Sequence, residues 1–88
     1  MAALSYVVVF RGGMGGASYG LRYLILEVES ADADDTVTVS EYTTVKDTVA
    51  IELDTGAEVS CSEATNVITI DPAGALSDKP VSILVSGY

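Results

Sequence analysis

The sequence contains no histidine, tryptophan or glutamine, one asparagine and one cysteine. Without histidine there is no side chain whose ordinary pKa puts a proton shuttle near neutrality, and neither a Ser–His nor a Cys–His pair can be assembled. The single cysteine, Cys61, excludes an intramolecular disulfide, and zinc-ligand spacing is absent. With nothing to activate it, Cys61 reads as a small, inert, half-buried hydrophobe. Basic residues are scarce as well: four Lys and Arg face thirteen Asp and Glu, a formal net charge of −9. That balance repels phosphate backbones, so nucleic acid is not an expected partner. Long hydrophobic runs are also missing. The densest, Leu4 to Phe10, is too short to cross a bilayer, and Arg11 follows it where a secretory signal would place its basic residues in front. Neither a membrane contact nor export by a signal peptide is expected.

What is present is material for strands. The 88 residues are 49% hydrophobic, which suffices for one modest core. A chain of this size buries roughly 60 to 65% of the surface its unfolded form exposes. No linker, repeat or second unit interrupts it, so residues 1–88 read as one β domain. Small cores often draw extra stability from disulfides, metals or self-association, and here self-association is the source left.

Leu4 to Phe10 reads as a strand with Leu4, Tyr6, Val8 and Phe10 on one face and Ser5, Val7 and Val9 on the other. Both faces are largely apolar, which predicts either a central strand or a partner chain covering its outer face. Residues 11–20 hold five glycines and read as a loop. Leu21 to Glu29 fits both a strand and a 3.6-residue helical period, and strand is the preferred reading. Ser30 to Asp35 is a polar turn. Thr36 to Tyr42 alternates, with Val37, Val39 and Glu41 set against Thr36, Thr38, Ser40 and Tyr42.

Thr48 to Leu53 alternates too, and is predicted to turn Val49, Ile51 and Leu53 inward. Asp54 to Gly56 closes it, Ala57 to Ser62 is a short strand, and Ala64 to Asn66 is a turn. Val67 to Ile70 is a strand stopped by Asp71-Pro72, because proline lacks the ladder donor. Pro72 to Asp78 reads as a loop. Val81 to Ser86 is the last strand, with Val81, Ile83 and Val85 as its core stripe. Short strands punctuated every eight to twelve residues predict a small antiparallel β-sandwich or partly open barrel of about six to seven strands.

Few residue groups could carry chemistry. The glycine-rich loop lacks the Lys-Ser/Thr of a phosphate-binding loop, and Ser18 stands where the third glycine of a dinucleotide fingerprint belongs. It reads as a hairpin connection, or as a loop presenting Arg11, Met14 and Tyr19 to another protein. Val7 and Val9 join these as candidate interface residues. Asp32, Asp34 and Asp35 depart from the calcium-loop pattern at Thr36 and Val37 and read as a solvated turn, with weak ion binding left open. Glu27 and Glu29 share a strand face, but carboxylate catalysis needs two acids flanking a cleft, and so small a chain has little room for one. No cofactor, metal site or catalytic residue is expected.

The stretches Asp35-Thr-Val-Thr-Val-Ser-Glu-Tyr42, Val49-Ala-Ile-Glu-Leu53, Asn66-Val-Ile-Thr-Ile70 and Ala75-Leu-Ser-Asp-Lys-Pro-Val-Ser-Ile-Leu-Val-Ser-Gly87 resemble small structural proteins of tailed viruses, the phage capsid decoration and minor head proteins. The likeness covers residues 35–88 and consists of strand pattern and of an ending in variable loop, apolar strand, glycine and aromatic. It implies a non-enzymatic virion protein on the capsid surface, self-associating, often as a trimer, and bound to the major capsid protein. The alternatives are a subunit of another assembly, such as a phage tail component or an extracellular filament, or a small ligand- or ion-binding β module.

Overall fold

The computed structural model describes residues 2–13 and 22–88. Among them every regular element is a strand: β1 (Val7–Gly13), β2 (Arg22–Ala31), β3 (Thr36–Thr38), β4 (Val45–Glu52), β5 (Glu58–Val59), β6 (Cys61–Ala64), β7 (Val67–Ile70) and β8 (Lys79–Gly87). They form a five-stranded sheet, ordered β1-β2-β8-β4-β5, and a three-stranded sheet, ordered β3-β7-β6. All strand pairs are antiparallel. Leu24, Leu26 and Val28 of β2, with Val81, Ile83 and Val85 of β8, meet Val37, Ile68 and Ile70 of the smaller sheet in one core. The fold is thus a small open antiparallel sandwich, with eight strands among the described residues where the sequence pattern predicts six or seven.

Several elements follow the pattern closely. Of the Leu21–Glu29 stretch, the described part from Arg22 on is a strand and not a helix, and Leu24, Leu26 and Val28 form its buried face. β7 has the expected bounds. In β8 the stripe of Val81, Ile83 and Val85 is completely buried, and Pro80 sits inside the strand near its start.

Other expectations are overturned. The first strand is neither Leu4–Phe10 nor central. Ala2 to Leu4 lies beside β3, where Thr36 donates its N–H to the Ala2 carbonyl and accepts that of Leu4, both at 2.8 Å. The chain then crosses to the other sheet as its edge strand. Arg11 to Gly13 extend that strand instead of opening a loop, because they pair with Leu24, Tyr23 and Arg22. A bulge intervenes: Val8 pairs with Leu26 and Phe10 with Ile25, so Val9 is an extra residue and Phe10 turns to the face opposite Val8. The face predicted as Leu4, Tyr6, Val8 and Phe10 therefore keeps its first three members packed on the core and loses Phe10 to solvent.

The strand expected over Thr36–Tyr42 stops after Thr38, and its alternation of buried and exposed residues after Ser40. A turn in which the Tyr42 N–H reaches the Val39 carbonyl at 3.1 Å reverses the phase, so Tyr42 is buried with Val37 and Val39. Ala57–Ser62 is not one strand: β5 pairs with β4, whereas β6 pairs with β7 in the other sheet.

The largest correction concerns β4. Thr48, Ala50 and Glu52 pair with Val85, Ile83 and Val81, the buried stripe of β8, and residues paired directly across a ladder share a face. Ala50 is therefore the buried residue, while Val49, Ile51 and Leu53 are exposed. A bulge between Val45 and Asp47 returns Val45 to the core.

Candidate protein-binding face

The inverted β4 and the displaced Phe10 contribute to the same surface, the outer face of the five-stranded sheet. Following the registers strand by strand, Phe10 pairs with Ile25, Ile25 with Leu84, and Leu84 with Val49. These four residues form one cross-strand row of about 14 Å at the usual inter-strand spacing. Phe10 is 53% exposed, Val49 51% and Leu84 40%. The adjacent row reads Val7, Glu27, Ser82, Ile51 and Glu58, with Val7 and Ile51 exposed too. On the other side the row is Gly12, Tyr23, Ser86 and Asp47. The Phe10 ring covers Gly12: a Cβ there would stand 2.8 Å from Phe10 Cε2. A glycine at this position lets the aromatic ring lie along the sheet.

Two shallow depressions flank the apolar row. One, of about 200 Å³, lies among Tyr23, Asp47, Val49, Leu84 and Ser86. The other, of about 320 Å³, lies among Val7, Glu27, Leu53 and Pro80. A further open depression, of about 350 Å³, is bordered by Glu52, Glu58, Asp71, Leu76 and Lys79. Among the described residues no three His, Cys, Asp or Glu side chains converge as metal ligands.

The acidic turn does more than face solvent. Asp35 is buried, and its carboxylate accepts the N–H of Asp32 at 2.9 Å and that of Ala2 at 2.8 Å. These two main-chain donors hold its pKa below the ordinary carboxylate value. Asp32 Oδ1 accepts the Asp78 N–H at 2.7 Å, and Asp34 occupies the left-handed region at a φ of 70°. Asp35 thus spends both carboxylate oxygens, and Asp32 one, on the chain itself. Burial pushes the Cys61 thiol up to about 11, the direction that disfavours the thiolate.

Compared with protein-family models, curated proteins and solved structures, the chain matches none.

Of the candidate interface residues, Val7 and Val9 stand exposed on β1, the edge strand. Arg11 lies on the same strand instead of a loop, and its guanidinium is engaged by Glu41 through Nε–Oε1 at 2.9 Å and Nη2–Oε2 at 3.0 Å. Met14 and Tyr19 lie outside the described residues. The sequence reading missed Phe10, Ile25, Leu84, Val49 and Ile51 as a group. A signal for them existed: the first two strands carry hydrophobes on both faces, more than a single core-facing stripe requires.

Proposed function

We propose that this chain is a non-enzymatic virion structural protein that decorates and stabilises a viral capsid, through self-association and contacts to the shell. The observation that carries the reading is the row Phe10–Ile25–Leu84–Val49, an apolar stripe displayed across four strands. Contiguous exposed apolar surface of this kind is characteristic of protein contacts. It accompanies a sequence without histidine and a small core that gains from neighbours. Self-association uses β1, at one end of the five-stranded order, where Val7 and Val9 offer an apolar edge to a second copy. The stripe on the sheet face is left for the shell.

Light scattering coupled to size exclusion on the purified chain, at low and high salt, tests the reading. A discrete trimer supports a decoration subunit. A polydisperse or filamentous product moves the assignment to a tail or filament subunit, and a stable monomer at all concentrations overturns self-association.

A further inference from the structure

The acidic and basic residues are segregated across the five-stranded sheet. Glu27 and Glu58 stand in the row on one side of the apolar stripe, and Asp47 in the row on the other. Three of the four basic residues of the chain lie on the core side. Arg11 pairs with Leu24, Arg22 with Gly87 and Lys79 with Ala31, and those three partners are buried on the core side. Lys46, the exposed extra residue of the β4 bulge, stands next to Asp47, with Nζ 5.5 Å from the centre of the Tyr88 ring, and is the one cation beside the outer face. The outer face therefore has an apolar centre and a rim of net negative charge.

From this we infer that the outer face docks a different protein, through a surface with an apolar ridge rimmed by Lys or Arg, and not a second copy of this chain. The inference rests on the structural-subunit reading and names the partner chemistry of its sheet face. A specific interface combines an apolar centre with a polar rim of complementary charge. Two copies placed face to face bring Glu27, Asp47 and Glu58 of one against the carboxylates of the other, and each copy has Lys46 as the one cation to set against them. Like charges set opposite one another at an interface oppose that pairing. A basic rim meets all three carboxylates while its ridge covers Phe10, Ile25, Leu84 and Val49.

The test is a residue-resolved amide NMR titration of the full chain with a synthetic strand peptide of alternating Leu and Lys. A matched peptide with Glu in place of Lys is the control. The Leu-Lys peptide should shift the amides of Ile25, Leu84 and Val49, with affinity falling roughly tenfold between about 0.05 M and about 0.5 M salt. The Leu-Glu peptide should leave them unmoved. The surface variant E27K/D47K/E58K, which touches no core position, should reverse the preference. Equal binding of both peptides, or shifts confined to β1 or to the depression near Asp71, overturns the inference. Shifts at Ile25, Leu84 and Val49 on raising the protein concentration alone also overturn it, because a second copy is then the occupant. A trimer whose outer face ignores the peptides sinks the inference and leaves the structural reading standing. A monomer whose outer face binds the Leu-Lys peptide does the reverse.

Discussion

Asp35 Oδ1 accepts the main-chain N–H of Ala2 at 2.8 Å, across a separation of 33 residues. Its second oxygen holds the Asp32 N–H, so one buried carboxylate fastens the start of the chain to the turn that leads into β3. Because the folded-state pKa is lowered, the stabilisation is present above the unfolded value of about 3.9 and is lost as pH falls through the folded pKa. Asp35→Ala should cost about 1.5 to 3 kcal/mol at neutral pH, the scale of a hydrogen bond to a charged group. Thermal melts between pH 7 and acid should show a smaller acid-induced drop for the variant than for the parent chain. Equal drops would mean the carboxylate is not the anchor.

Ile83 and Val49 occupy adjoining strands but opposite faces. Ile83→Ala should cost about 2 to 5 kcal/mol as a core truncation. Val49→Ala should stay within about 0.5 kcal/mol, as a surface change does. Urea denaturation of both variants checks the inverted face of β4, since the predicted inward orientation of Val49 demands a large loss at both positions.

Gly87 and Gly56 are glycines for different reasons. A Cβ on Gly87 would run into the Thr44 carbonyl oxygen and stand 2.9 Å from Tyr42 Cδ2. Gly87→Ala should therefore destabilise by about 2 to 3 kcal/mol through overpacking against main chain. Gly56 has open space around it but a φ of 74°, so Gly56→Ala should cost about 1 kcal/mol from left-handed strain. Calorimetric melting of the pair separates the two causes. The reverse order of losses would contradict the packing at the end of β8.

The Cys61 thiol, pushed up to about 11 by burial, should alkylate slowly near neutrality. Its rate with iodoacetamide should keep rising with pH through 10, whereas the denatured chain should level off above about 8.5, its ordinary pKa. A plateau near 8.5 in the folded chain would show that the thiol is open to water.

Much of the fold was legible because strands announce themselves locally. Val67 to Ile70, ended by Asp71-Pro72, and the stripe of Val81, Ile83 and Val85 need only β-branched residues, alternation and a proline stop. The sequence alone settled an all-β chain of short strands. It also settled the acidic excess that leaves four cations to distribute. The tertiary structure decided which face of each strand is inside. Alternation says that a strand has two faces, yet a change of one position in pairing exchanges them. In β4 that choice was made by pairing Ala50 with Ile83, more than thirty residues away. In β1 the bulge at Val9 made it, turning Phe10 outward to pair with Ile25. Such pairings depend on contacts distant in sequence, so the composite face of Phe10, Ile25, Leu84 and Val49 exists only once the sheet has formed.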